Sequence, residues 1–106
     1  MNRYILDTLK DVGAPVAFEY YEGDEDTYLR FFYLGQDQFS SDDDEQHTIY
    51  HVQVDIFSPG NLIQLANNTK QAMKQAGFRK SYENDKYEED TKLFHKVLRF
   101  YIIRED

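Results

Sequence analysis

Apolar and polar residues alternate along the middle of the chain, and their period then changes. Over residues 48–57 every second residue is apolar, namely Tyr50, Val52, Val54 and Ile56. That period of two is typical of a strand with one buried face. From residue 59 onward the apolar positions fall three and four apart, which predicts an amphipathic helix over residues 59–76. Ser58 suits a helix start and Gly77 a helix end, so this stretch predicts a strand, a tight turn and a helix.

The rest of the pattern predicts a second helix and further strands. The N-terminal part is predicted to hold a helix over 2–12 capped by Asn2, two strands over 16–21 and 27–34 joined by a hairpin turn over 22–26, and a polar loop over 35–46. After the central strand and helix we predict a short strand over 78–82, an acidic connection over 83–90 and a long strand over 91–104. We therefore expect one α+β domain over residues 1–106, with a mixed, mainly antiparallel sheet flanked by the N-terminal helix and the longer helix. We expect strands 48–57 and 91–104 to pair and the acidic loop 35–46 to be mobile.

Composition narrows the class of protein. A hydrophobic content of 41%, with 8 Phe and 9 Tyr, argues against general disorder. The chain has no cysteine, which excludes disulfides and thiolate sites. No apolar run approaches the ~20 residues that span a bilayer, and the N-terminus lacks the core of a signal peptide. We expect a protein of the cytoplasm or of an assembled particle, without a membrane partner.

Charge is unevenly distributed. The net charge is −8; residues 1–69 carry 3 basic and 13 acidic side chains, whereas residues 70–106 carry 9 and 7. The acids cluster over residues 22–26, 42–45 and 83–90. Such a balance disfavours ordinary binding to a nucleic-acid backbone and predicts no sequence-specific recognition of DNA or RNA. It suits solubility, repulsion of a polyanion or a basic partner.

The candidate chemistry is sparse, and we predict neither an enzyme nor a cofactor. The run Asp42, Asp43, Asp44 and Glu45 offers carboxylates to a hard cation, but its spacing does not match a calcium loop, so we predict no metal site there. His51 and His95 occupy polar positions on strands expected to be neighbours and could bind a metal weakly, although a third ligand is missing. A role as surface or subunit-contact residues fits these histidines better.

Apolar and aromatic residues on both faces of strands 27–34 and 91–104 predict an interface. A lone domain of this size would not cover both faces, which favours an oligomer. The candidate subunit or partner interface consists of Phe31, Tyr33, His51, His95, Val97, Arg99 and Tyr101.

Two segments carry a family resemblance. The strand–helix segment VQVDIFSPGNLIQLANNTKQAM and the ending YEEDTKLFHKVLRFYI resemble the small tail-completion, or head–tail joining, proteins of long-tailed double-stranded DNA phages and prophages. The opening helix followed by Pro15-Val16 fits the same pattern. The resemblance therefore spans nearly the whole chain in order and length.

The resemblance implies a structural role in the virion. It implies hexameric rings at the head–tail junction or the end of the tail tube, around a channel for DNA. The partners would be further copies of the chain and a phage connector or major tail protein, met in the host cytoplasm during assembly. The isolated chain could still be a monomer, and the acidic run 42–45 could face the channel and repel DNA. A different function remains open: a small acidic inhibitor or DNA mimic that binds a basic partner.

Overall fold

A computed structural model gives the structure of the protein and describes residues 1–40 and 46–105. Within this part of the chain the elements are α1 (Asn2–Leu9), β1 (Val16–Phe18), β2 (Tyr28–Ser40), β3 (Gln46–Ser58), α2 (Ile63–Gln75), β4 (Arg79–Glu88) and β5 (Leu93–Glu105). The five strands form one mixed sheet in the order β1-β2-β3-β5-β4. The predicted α+β class is confirmed.

The core lies between the two helices and one face of the sheet, which we call the helix face. Val52, Val54 and Ile56 on β3 are fully buried there, so the alternation of residues 48–57 did mark a buried face. Ile5 of α1 and Met73 of α2 pack into the same cluster. The predicted pairing of the two long strands is also confirmed, because β3 and β5 run antiparallel with Val54 opposite Leu98.

The end of α2 is as predicted, but its start is not. Gly77 has a φ of 100°, its N–H bonds the Lys74 carbonyl at 3.0 Å, and the Phe78 N–H bonds the Met73 carbonyl at 3.0 Å. Those two bonds close the helix end in a Schellman motif. The helix begins at Ile63 rather than near residue 59, because the Asn61 side chain accepts the Ile63 N–H at 2.8 Å while Ser58 still belongs to β3.

The predicted hairpin between the first two strands is wrong. β1 pairs with β2 in parallel, with Val16 opposite Leu29. The chain leaves β1 through Glu19, whose φ is 71°, and the Tyr20 N–H bonds the Phe18 carbonyl at 2.9 Å. A bond of that span with a positive central φ is a γ-turn, which takes the chain out of the sheet instead of folding it back alongside β1. Residues 19–27 then run back along the strand direction to the position where β2 starts, as a parallel pairing requires.

Two polar segments form strands where loops were expected. β2 continues to Ser40, past a bulge between Tyr33 and Gly35, so residues 35–40 belong to the sheet. The predicted loop is therefore wrong for residues 35–40, and residues 41–45, including the acidic run Asp42, Asp43, Asp44 and Glu45, lie outside the described residues. Likewise β4 extends through the acidic stretch to Glu88. Its acids tolerate a strand because lysines beside the strand pair with them, as described below.

Helix α1 ends earlier than predicted, at Leu9 rather than Val12, and Met1 rather than Asn2 is its N-cap. Among the described residues, no helix has the length and apolar character needed to cross a membrane.

Candidate functional site: the open face of the sheet

The face of the sheet opposite the helices, which we call the open face, centres on Asp55. This residue alternates with Val54 and Ile56 on the central strand β3, so its side chain must point away from the core. The sequence pattern placed it in water, yet its carboxylate is fully buried. Arg30, its cross-strand neighbour on β2, donates from Nε to Asp55 Oδ2 at 2.9 Å, and Gln53 donates from Nε2 to Oδ1 at 2.8 Å.

His95 on β5 extends this network toward the edge of the sheet. Its Nε2 lies 2.9 Å from Asp55 Oδ1, but the direction falls outside hydrogen-bond geometry, so the contact is an electrostatic one. Its Nδ1 lies 3.1 Å from Glu88 Oε1 on β4. The row Arg30–Asp55–His95–Glu88 therefore links four adjacent strands through alternating basic and acidic groups.

The side chains that contact Asp55 lower its pKa more than burial raises it. Burial alone would raise the pKa of Asp55, but His95, Arg30 and Gln53 together hold that pKa below its ordinary value. The carboxylate is therefore ionised at neutral pH. A general acid needs a pKa raised toward the working pH and access to a substrate. Asp55 has neither, so it does not fit the role of a general acid.

Stacked rings cover the charged row. Tyr21 stacks on Tyr28 at 4.6 Å between centroids, Tyr28 on Phe57 at 4.9 Å, and Phe57 on His95 at 4.3 Å. The Arg30 guanidinium lies 5.1 Å from the centre of the Phe57 ring. These flat side chains exclude water from this end of the open face, which explains how Asp55 is buried on the face away from both helices.

Arg99 continues the polar network along the sheet. Its Nε donates to Gln53 Oε1 at 2.9 Å, and its guanidinium lies 4.7 Å from the centre of the Tyr82 ring. Farther along, His51 lies across from Tyr101, and its Nε2 is 3.2 Å from the exposed Asp37 carboxylate. The open face therefore changes from buried and ionic near Asp55 to half-exposed near Tyr101.

The predicted interface residues divide between the two faces. His51, His95, Val97, Arg99 and Tyr101 do share the open face, as the alternation of strand 91–104 predicts. Two of them are not available to a partner, because His95 is 7% and Val97 only 3% exposed.

The placement of β2 residues in that interface needs correction. Phe31 is fully buried on the helix face, where it lies opposite Val54, so it belongs to the core and not to a surface. Tyr33 lies on the same face, half-buried, and its hydroxyl donates to the Asn2 side chain of α1. The alternation along β2 was correct, but the sequence could not tell which of two aromatic faces the helices would cover.

The two histidines do not form a joint site. His95 lies across from Phe57, six positions from His51 along β3, which is about 20 Å at 3.4 Å per residue. Within residues 1–40 and 46–105 no group of three or more His, Asp or Glu side chains is arranged to hold a metal ion.

A second feature lies on the helix face, where lysines surround Glu83. Lys80 and Lys96 each lie 2.6 Å from its carboxylate, and Lys70 of α2 lies 3.3 Å away. Hydrogen bonds from Lys80 and Lys96 lower the pKa of Glu83 to about 2. Lys96 also reaches Asp85 at 3.0 Å. Three ammonium groups thus converge where β4, β5 and α2 meet.

Sequence reasoning missed Arg30, Asp55 and Glu88 as members of one network. The available signal was an acid in the middle of a long alternating strand, at Asp55, with no turn near it. The pairing of β3 with both β2 and β5 was needed to find its partners.

Comparison with known proteins bears on the fold. No protein-family model matches the chain, and no curated protein does either. Among solved structures, a chain from the "Virion of native gene transfer agent (GTA) particle" matches with a TM-score of 0.66 at 14% sequence identity, covering 96% of this chain and 92% of that one. At this level of identity the likeness establishes a shared fold: nearly the whole chain is similar in architecture to a chain found in a virion.

Proposed function

We propose that this chain is a structural protein of a phage or prophage virion that joins head to tail or terminates the tail tube. The observation that carries the proposal is the likeness of fold, over nearly the full length of both chains, to a chain of a gene transfer agent virion. The resemblance of segments 52–73 and 87–102 to head–tail joining proteins supports the same role independently of the fold.

The half-exposed end of the open face suits contact with a connector or major tail protein. Ile103 is 51% exposed, Tyr82 is also exposed, and Tyr101 is half-buried between them in the register of the sheet. Aromatic side chains with a wet polar tip are enriched in protein interfaces. The buried row around Asp55 would act as a rigid support for this surface, because its polar side-chain contacts link four strands.

The role we propose is assembly into a ring, a hexamer by family resemblance, around a DNA channel. A ring repeats one pairwise contact, so a contact too weak to hold a dimer becomes stable when the ring closes on a template. The end of the head or tail would be that template. The isolated chain would then be a monomer and the virion-bound chain a ring, and its role would not involve catalysis.

The alternative, a DNA mimic or acidic inhibitor, gains no support from the placement of the acids among residues 1–40 and 46–105. Glu83 and Asp85 pair with Lys96, and Glu88 contacts His95. Carboxylates neutralised within the molecule are poor copies of backbone phosphates. The acids of residues 19–26 are exposed, but they occupy one edge of the sheet.

The role can be tested in cells that produce the particle. Deleting the gene should yield DNA-filled heads and separate tails by electron microscopy, and mass spectrometry of intact wild-type particles should detect the chain. Tyr101→Glu should reproduce the assembly defect while the purified variant keeps the wild-type circular dichroism spectrum. Tyr101→Phe, which keeps the ring, is the matched control and should assemble normally. Val97→Glu is unsuitable, because it would add a carboxylate beside buried Asp55.

Intact particles after deletion would refute the head–tail role. Normal assembly with Tyr101→Glu would show that this end of the open face is not the contact.

A further inference from the structure

An open groove lies on the helix face between the start of α2 and strands β4 and β5, with a volume of about 610 Å³. We call it the lysine groove. Its apolar lining includes Leu62 and Ala66, together with Ile63 and Phe94, which are 65% and 45% exposed. Large apolar side chains exposed together in a concave site are typical of a surface that another molecule covers.

The rim of the lysine groove is positively charged. Lys70, Lys86 and Lys96 line it together with one acid, Asp85. Glu83 beside the groove contacts both Lys70 and Lys96, and Asp85 contacts Lys96, so these two acids offset two of the three lysine charges and leave the rim with a net charge of about +1. A basic rim is unusual in a chain of net charge −8. Because the rim is basic and the lining is apolar, the groove fits an acidic segment that carries an apolar side chain.

A segment with those properties lies at the opposite edge of the sheet. Residues 19–26, which we call the acidic segment, follow the edge strand β1 and carry the exposed acids Glu19, Glu22, Asp24, Glu25 and Asp26. Tyr20 lies among them with 65% of its surface exposed. A tyrosine ring can enter an apolar groove and stack beside lysine ammonium groups while its hydroxyl stays wet.

The register of the sheet places the two surfaces at the same height. One row of cross-strand partners passes through Val16, Leu29, Ile56, Lys96 and Asp85, from β1 at one edge to β4 at the other. Five strands about 4.8 Å apart separate the ends of that row by about 19 Å. A neighbouring copy placed beside the sheet would therefore bring its acidic segment to the height of the groove along the strands. Tyr21 holds that segment on the open face, so the segment must reach the groove around the edge strand β4.

We propose that the acidic segment of one copy of this chain docks in the lysine groove of the next copy, with Tyr20 seated against Ile63 and Phe94. The two surfaces differ and lie on opposite edges, so the contact is heterologous: each copy uses one edge to bind and offers the other. Contacts of that kind repeat around a ring. The inference deepens the proposed ring assembly and rests on it for its biological setting, but it can be tested on the purified chain alone.

The test uses the absence of cysteine in the natural chain. Asp24→Cys marks the acidic segment without changing Tyr20, and Asn67→Cys marks the groove at an exposed polar lining position. The two purified full-length variants are mixed and treated with a short bismaleimide linker at low ionic strength. The control mixture pairs Asn67→Cys with Asp37→Cys, an exposed site at the far end of the open face. Heterodimer formation is followed on denaturing gels.

We expect the 24–67 heterodimer to form about ten-fold faster than the 37–67 heterodimer, because docking raises the local concentration of the two thiols. Tyr20→Ala in the Asp24→Cys chain should abolish this preference, whereas Tyr20→Phe should keep it. Lys70→Glu in the Asn67→Cys chain should also reduce it, and salt should weaken it because the attraction is between exposed charges.

Equal rates for the two mixtures would overturn the proposal. Faster formation of the 24–24 homodimer than of the 24–67 heterodimer would also overturn it, since that pattern requires a two-fold contact. The proposed function can fail separately: a specific 24–67 contact in a chain absent from particles would retain the self-association and reject the virion role. Equal rates in a chain that particles do contain would reject only the docking.

Discussion

Replacing Asp55 with asparagine tests the buried ionic row, because this change removes the charge and keeps the size. Asp55 is fully buried, with Arg30 Nε at 2.9 Å, Gln53 Nε2 at 2.8 Å and His95 Nε2 at 2.9 Å. Breaking a buried pair by removing one charge costs about 3–5 kcal/mol. Arg30 keeps 35% of its side chain exposed and can be partly solvated in the variant, which favours the lower end of this energy range. We therefore expect a loss of about 3 kcal/mol in the free energy of unfolding.

The assay is urea unfolding followed by circular dichroism, with thermal unfolding as a second readout. For a domain of this size each 1 kcal/mol corresponds to about 4–8 °C, so a loss of about 3 kcal/mol should lower the melting temperature by about 12–24 °C. Asp37→Asn is the matched control. It also removes an aspartate that faces a histidine on the open face, but Asp37 is 74% exposed, and surface pairs contribute about 0–1 kcal/mol.

Equal losses for Asp55→Asn and Asp37→Asn would refute the reasoning. That result would mean that the charged row adds no stability and that packing of the stacked rings alone holds the open face.

Three further predictions concern the core and the lysines. Val54→Asp should unfold the domain, because it places an unpaired charge on the fully buried helix face, and retention of the wild-type melting temperature would contradict this burial. Phe31→Ala should cost about 3–5 kcal/mol in urea unfolding, as expected for a core ring rather than a surface one, and a loss below about 1 kcal/mol would restore Phe31 to the surface. Glu83, whose usual pKa of 4.5 is lowered to about 2 by Lys80 and Lys96, contributes stability that is present above pH 4.5 and lost as the pH falls toward 2. The difference in unfolding free energy between wild type and Glu83→Gln should shrink over that range, and a difference that does not change with pH would show that the lysine contacts are absent in solution.

The amino-acid sequence by itself determined the local elements with a strong period. The strand ending at Ser58 and the helix closed by Gly77 are encoded by short-range chemistry, namely which side chains avoid water and which residue accepts a positive φ. The pairing of β3 with β5 was also predictable, because both long alternating segments need cover for one apolar face.

Where the local sequence signals were weak, contacts with residues distant in sequence decided the secondary structure and the strand pairing. β4 runs through an acidic stretch because Lys70 and Lys96, from other elements, neutralise Glu83. β1 lies parallel to β2 because the γ-turn at Glu19 changes the direction of the chain, a conformation for which a glutamate gives no sequence signal.

The candidate site depended most on tertiary structure. Alternation assigned Asp55, His95 and Val97 to the polar face but could not predict their burial. The period of a strand shows which residues share a face and not what covers that face. Cross-strand neighbours then buried Asp55, which pairs with Arg30, and His95, on which Phe57 stacks. The sequence therefore determined the faces of this sheet, and only the order of its strands decided which polar positions are buried, because burial depends on neighbours that lie far away along the chain.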